Sequence, residues 1–435
     1  MNPILSAAPL SRRQFAKSLA IAAGPLLLPS RVWAASPGKR INLGFIGIGI
    51  QSRGHLNSFL GIRDLVQVVA VCDIHEGRLD DAVARVHKAY AAEKESGSYQ
   101  GVGRYTDFHA LLERKDVDAV VIGTPDHWHG IPAILASKAR KDIYCEKPLS
   151  LTIGEGREMV KAARRGQVVF QTGSQQRTEF NGYFRQAVEL IRSGRIGKVK
   201  TIRIGVGKPN RPCDLPGETL PPGIDWDLWL GPAPMREFNQ ILCPVDVHKH
   251  FPAWRDYREY AGGGLADMGA HHFDIAQWAL DMDNSGPVEI IPPEDPKAQI
   301  GLKYLYANGT EMFHGGPSGC TFEGTDGTIY VDRGRIESKP ESILKEPLGA
   351  KDFHLEPIGK DHRKNWLDCI ASRKKPVADV EIGARTASIC HLGNIGYQLG
   401  RKLKWNPSKE QFIGDAEANK LIHRERRGVW SKIPG

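Results

Sequence analysis

The chain has no apolar run long enough to cross a bilayer. Its most apolar stretch near the start, Leu19 to Leu28, is interrupted by Pro25 and bounded by Pro29, well short of the roughly 20 residues a spanning helix needs. Stable membrane insertion is therefore not expected. There is no C-x-x-C pair: Cys72, Cys145, Cys213, Cys243, Cys320, Cys369 and Cys390 are scattered and odd in number, which argues against a disulfide framework. His248-Lys249-His250 places two histidines two apart in a loop with no cysteine or carboxylate at zinc spacing, so no metal is expected. Charge of one sign is not in great excess, at 59 Lys+Arg against 50 Asp+Glu. The basic tail from Lys420 to Arg427 contains Glu425 and no stacking aromatics, which argues against a nucleic-acid partner. No internal repeat or low-complexity tract appears. With 41% hydrophobic and 25% charged residues over 435 positions, the composition is that of a globular protein of two or three domains.

What is present begins with Ser11-Arg12-Arg13-Gln14-Phe15-Ala16-Lys17, then the apolar run, then a small-residue site ending at Ala34 or Ala35. This order has the form of a twin-arginine export signal. Residues 1–35 are expected to be that signal, the translocase to be a transient partner, and the destination to be the periplasm or another exported location. Removing Arg12, Arg13, Lys17 and Arg31 takes the formal net charge from +9 to +5.

From about residue 40 to 170, short apolar runs alternate with amphipathic segments. Strands are expected at 41–47, 66–73, 118–123, 142–146 and 168–172, with helices at 77–94, 108–114, 130–137 and 153–165 between them. Such alternation predicts a doubly wound parallel sheet, assigned here to residues 36–172. Beyond about 175 the rhythm changes. A helix over 184–193 precedes strands at 199–206, 288–292, 298–307, 310–314, 320–323 and 328–331, and Asn308-Gly309 is a two-residue hairpin signal. With helices at 266–280, 362–372 and 382–399, residues 173–435 read as an α+β domain on a large, mostly antiparallel open sheet. Its open face suits subunit pairing, so a dimer or tetramer is expected.

Gly47-Ile48-Gly49 follows the first strand and opens a helix, the arrangement that presents a tight turn and a helix N-terminus to a pyrophosphate. Ser52 stands where a third glycine is usual, with Arg53 beside it. Asp73 ends the second strand, about 26 residues after Gly47, where an acid meets ribose hydroxyls. That acid favours NAD over NADP, since a 2′-phosphate would face a carboxylate. A nicotinamide cofactor taken through the twin-arginine route would be bound before export and held tightly, because the periplasm has no soluble pool to replace it.

Two further strand ends carry polar motifs, Gly123-Thr124-Pro125-Asp126-His127-Trp128-His129 and Cys145-Glu146-Lys147-Pro148. With Gly262-Gly263-Gly264-Leu265-Ala266-Asp267-Met268-Gly269-Ala270-His271 and Asp274, the chain resembles the Gfo/Idh/MocA oxidoreductases from about residue 40 to 405. The resemblance implies a sugar or polyol dehydrogenase using Lys147, Asp267 and His271 in catalysis, with a cis bond before Pro148. It places Thr124, Pro125, His129, Glu146 and Lys147 against the cofactor. Asp267 and His271 are four apart on a predicted helix and so share a face, where the carboxylate can orient or charge the imidazole. Trp128 suits a sugar face. Gln176 and Arg177, after Gln175, suit sugar hydroxyls unless they form a hinge, and His250 belongs to a polar substrate loop.

Three functions compete. The first is hydride transfer between a sugar, glycoside or polyol carbinol and bound NAD. The second, which the resemblance also covers, is glycoside cleavage by transient oxidation and elimination without net redox; the third is a non-catalytic scaffold. Intact Lys147, Asp267 and His271 argue against the third, and glycoside release without an acceptor would favour the second.

Overall fold

The computed structural model describes residues 40–246 and 251–432. The signal assigned to residues 1–35 and the substrate residue His250 lie outside the described residues. The first half builds a six-stranded parallel sheet from β1 (Ile41–Ile46), β2 (Val66–Cys72), β3 (Gly103–Tyr105), β4 (Ala119–Ile122), β5 (Asp142–Cys145) and β6 (Phe170–Thr172). The spatial order is β3-β2-β1-β4-β5-β6. Runs such as Val66-Gln67-Val68-Val69-Ala70-Val71-Cys72 are almost wholly buried, as expected for a parallel sheet covered on both faces by helices. Strand order reverses between β1 and β4, so a crevice opens at their carboxyl ends.

The five expected strands of this sheet are all present, and β3 is an additional short edge strand. The expected helix 130–137 begins earlier, at Asp126, so the Thr-Pro run leads directly into Asp126–Lys138. The expected 77–94 helix is divided at Tyr90, whose ring stacks on Tyr99 at 4.5 Å.

The second half carries β7 (Val199–Gly205), β8 (Glu289–Ile291), β9 (Lys303–Leu305), β10 (Glu311–Gly324), β11 (Thr328–Asp332), β12 (Arg335–Lys339), β13 (Leu403–Asn406) and β14 (Gln411–Phe412). They form one sheet, ordered β12-β11-β10-β9-β8-β13-β14, with β7 paired to β10. β10 joins two segments that the sequence suggests as separate strands. Its halves flank β7, with Glu311 and Glu323 both opposite Thr201. The chain bends between them at Gly315 and Gly316, whose φ values of 132° and 120° disfavour any side chain. The expected 298–307 strand shortens to β9. β12 was not anticipated because its charged sequence lacks an apolar alternation, a common composition for an edge.

One face of this sheet packs on helices Tyr183–Arg192, Gly269–Ala279 and Val380–Leu399, with Phe184, Phe273, Tyr304 and Phe322 in the shared core. Val380–Leu399 also serves the first sheet. Val380, Ala384 and Ala387 enter the core of the parallel half, whereas Ile389, Leu392 and Ile395 enter the other. Trp366 from the preceding helix reaches Phe59 and Tyr144, at ring separations of 6.0 and 5.7 Å. Late segments of the chain thus return to brace the early sheet. All seven cysteines are free, and six are buried. No helix among the described residues is long and apolar enough to cross a membrane.

Candidate active site

A cavity of about 520 Å³ runs along the carboxyl ends of the parallel strands, from the glycine turn to the start of helix Gly269–Ala279. At its nucleotide end, Gly47 adopts φ 81° and donates its N–H to the Cys72 carbonyl at 2.8 Å. A Cβ there would lie 2.8 Å from the Thr124 nitrogen. Gly49 caps helix Ile50–Leu60 without any side-chain hydrogen bond, and a Cβ on it would meet nothing within 4 Å. The first amides of that helix therefore face open space, as a bound diphosphate requires.

Ser52 is tolerated in the third glycine's place because the facing residue is itself a glycine. A Cβ on Gly123 would come within 2.6 Å of the Ser52 Cβ. Asp73 receives the Ile48 N–H at 2.6 Å on one oxygen and the His75 N–H at 3.0 Å on the other. It lines the cavity while it pins the turn. The hydroxyls of Ser52 and Thr124 are buried without hydrogen-bond partners. A cradle of free amides, an acid at the second strand end and the unpartnered Thr124 hydroxyl on the cavity wall fit a dinucleotide.

Not every expected cofactor residue reaches that cradle. Ile48 and Ser52 are fully buried behind it. Arg53 is displaced too, lying on the outer side of its helix 3.8 Å from Asp81. Ile50 and Gln51 line the cavity instead.

At the reacting end, Glu146-Lys147-Pro148 leaves β5 through a cis peptide before Pro148. Lys147 Nζ donates to Asp267 Oδ1 at 2.6 Å and to the Asp267 carbonyl at 3.0 Å. Burial alone would raise the Asp267 carboxyl, but Lys147 and Arg255 hold it below the ordinary carboxylate range. Glu146 receives His55 Nε2 at 2.7 Å and Gln175 Nε2 at 2.9 Å. Burial opposes its ionisation, yet His55, Lys147 and Gln175 bring it down to about 2.

His271 faces the same cavity. Burial, followed by the charges of Lys147 and Arg333, keeps its imidazole well below the usual pKa, so it is neutral at pH 7. The expected pairing of Asp267 with His271 does not form. The predicted helix divides at Met268 into Gly263–Asp267 and Gly269–Ala279, Asp267 turns to Lys147, and His271 Nδ1 has no partner.

Other expected residues act as framework. Arg177 is 1% exposed and forms forked bonds to Asp274 at 2.7 and 2.9 Å and to Asp283 at 2.6 and 2.9 Å, so it is not a sugar ligand. Gln176 does not line the cavity. It donates to the His271 carbonyl at 3.3 Å and accepts from Arg333 Nε at 3.1 Å. Trp128 forms cavity wall rather than an open platform: its ring meets Phe108 and Trp430 edge to face, and its N–H donates to the Trp229 carbonyl at 2.9 Å. His129 lines the cavity, but its ring nitrogens lie 2.7 Å from the Pro148 carbonyl and 3.0 Å from that of Thr124. It clamps together the two motif-bearing strand ends.

The sequence reading missed Asp126, Arg333 and Arg363, all of which line the cavity. Asp126 is 4% exposed; burial, with Asp267 nearby, pushes its carboxyl up to about 8. Its place inside the Thr-Pro-x-x-x-His run was the available signal. Arg333 follows β11 in a turn and Arg363 opens a helix, and neither carries a local signature.

Two regions match known families. Residues 41–174 match the oxidoreductase-family NAD-binding Rossmann fold, and residues 206–432 match the oxidoreductase-family C-terminal alpha/beta domain. The chain belongs to the Gfo/Idh/MocA oxidoreductase family. It is 33% identical over 159 residues to inositol 2-dehydrogenase of Salmonella typhimurium, covering 36% of this chain and 43% of that one. It is 30% identical over 242 residues to a glycosyl hydrolase family 109 protein of Stenotrophomonas maltophilia, covering 51% and 50%. These alignments span about half the length of the curated relatives. In overall fold it is similar to the WlbA dehydrogenase of Bordetella pertussis solved with NADH and UDP-GlcNAcA. The TM-score is 0.57 at 19% identity, over 85% of this chain and 99% of that one.

Proposed function

We propose that this chain is an exported oxidoreductase that transfers hydride between a secondary alcohol of a sugar, glycoside or polyol and tightly held NAD. The observation that carries the reading is the meeting of Lys147, Asp267 and His271 in the cavity that begins at the glycine turn. Bound NAD supplies the hydride acceptor. His271, neutral and with an unpartnered ring nitrogen, takes the hydroxyl proton. Lys147, aimed by Asp267, donates a hydrogen bond to the same oxygen and stabilises developing charge on it. Asp73 favours NAD over NADP, as a carboxylate repels a 2′-phosphate.

Export through the twin-arginine route agrees with tight retention of the cofactor, and the free face of the second sheet suits pairing into a dimer or tetramer. The direct test uses protein exported through its own signal and purified without added nucleotide. Titration with sugars and glycosides should raise the near-ultraviolet absorbance of reduced nicotinamide, and the rise should survive desalting. Protein that emerges with no nucleotide overturns tight retention. Nucleotide that no alcohol reduces overturns the hydride-transfer role.

A second reading, glycoside cleavage without net redox, is supported by the similarity to the glycosyl hydrolase family 109 protein. Release of aglycone from glycosides with no added acceptor and no lasting absorbance change would select it.

A further inference from the structure

The reacting end of the cavity holds more fixed positive charge than the proposed hydride transfer uses. Lys147 is paired with Asp267, Arg255 lies 3.6 Å from the same carboxylate, and Arg363 donates to Glu179 at 3.2 Å. Arg333 alone of these four cations has no carboxylate in ion-pair contact among the described residues. Its Nε donates to Gln176 Oε1 at 3.1 Å, its guanidinium lies 4.8 Å from the centre of the Phe180 ring, and its two terminal nitrogens have no hydrogen-bond partner. No residue outside the described range carries a carboxylate side chain that could fill the vacancy.

Arg333 is also well placed. Gln176 joins it to the backbone of His271, and its charge is among those that keep His271 neutral. The glycine turn and its free amides occupy the opposite end of the cavity, so Arg333 is not needed there for a pyrophosphate. A half-buried guanidinium held on one side and stacked on an aromatic ring presents its remaining fork in a fixed direction. That shape matches a planar carboxylate with two parallel hydrogen bonds.

We infer that the sugar on which this site acts carries a carboxylate, as in a uronic or aldonic acid, and that Arg333 binds it bidentately. A single uncommitted cation balances one negative charge. A phosphate dianion would need a second, and Arg255 and Arg363 are already engaged by Asp267 and Glu179. The inference rests on the hydride-transfer reading for the orientation of the sugar, but binding can be measured without turnover.

The experiment is calorimetric titration of the nucleotide-loaded protein with glucuronate, galacturonate and mannuronate. Each is compared with its parent hexose and with the hexose 6-phosphate. At least one acid should bind about ten- to a hundredfold more tightly than its parent, the range expected of a charge-assisted fork. Arg333→Gln should collapse that preference to near unity, and Arg333→Lys, which keeps charge but loses the fork, should restore part of it. Retained nucleotide and an unchanged melting curve show that the variants fold.

A panel in which no acid is preferred to its parent overturns the inference, as does Arg333→Gln weakening acid and hexose equally. Tighter binding of the phosphates overturns the carboxylate assignment. Preferred binding of an acid with no reduction of nicotinamide leaves the Arg333 assignment standing and removes the hydride-transfer reading. Reduction by neutral sugars alone does the reverse.

Discussion

The two ends of the cavity are built of different material. The nucleotide end is mostly backbone: a left-handed Gly47, unpaired amides at the start of Ile50–Leu60, and one carboxylate that pins the turn. The reacting end is made of side chains brought from distant stretches, with Lys147 and Asp267 separated by 120 positions. A site made of backbone is sensitive to added volume, because its atoms have no freedom to move aside. A site made of side chains is sensitive to chemistry, because charge and proton affinity are what each group contributes.

Substitutions at the two ends should therefore fail in different ways. The largest effect is expected at the reacting end, where Lys147→Met and His271→Ala should each lower turnover by about 10²- to 10⁴-fold while the purified protein retains its nucleotide. Activity close to wild type in either variant would remove that residue from the mechanism. Beside this end, Arg177→Met should cost about 3–5 kcal/mol of stability, since it leaves the Asp274 and Asp283 carboxylates without their partner. Denaturant melting checks the loss, and KM in the folded fraction should stay unchanged because Arg177 does not face the cavity.

At the nucleotide end, Gly47→Ala should cost about 1–2 kcal/mol in backbone strain alone and should also push on Thr124. Its signature is protein purified with little bound nucleotide, the opposite of the Lys147 result. Ser52→Gly should change nucleotide content least, as Gly123 already provides the close approach.

A pH prediction concerns Asp126. Burial, with Asp267 nearby, pushes its carboxyl from the ordinary carboxylate range up to about 8 in the folded chain, so the native state holds the proton more tightly than the unfolded one. This contribution is complete below the unfolded value and declines as pH rises through about 8. Denaturant midpoints of wild type should show that decline, and Asp126→Asn should remove it. Identical profiles would mean that Asp126 is ionised at neutral pH.

Legibility in the sequence follows the same division. The parallel sheet was readable because each strand is a short apolar run bounded by polar turns. Five of its six strands were expected within two residues at either end, and the missed β3 has only Gly103-Arg104-Tyr105 to announce it. The antiparallel sheet was harder. Its strands gain their order from partners far along the chain, and β10 bends around β7 at glycines that read as a break. Among residues lining the cavity, Thr124, Glu146 and Lys147 were legible in local motifs and Asp126 was passed over inside one, whereas Arg333, in a turn, and Arg363, in the first turn of a helix, sit in sequences that say nothing about a cavity.

Local chemistry was enough to locate the glycine turn and its acid at Asp73, because each works through neighbours in the chain or through backbone geometry that a few residues impose, while the Glu146-Lys147-Pro148 strand end stood out through the family resemblance. The roles of the remaining groups depended on which side chains burial brought together. Lys147 rather than His271 became the partner of Asp267, Arg177 was committed to Asp274 and Asp283, and Arg333 was left with a free fork beside His271. A buried charge takes whichever counter-charge packing sets within reach, and that choice is made between segments whose separation along the chain carries no record of their distance in space.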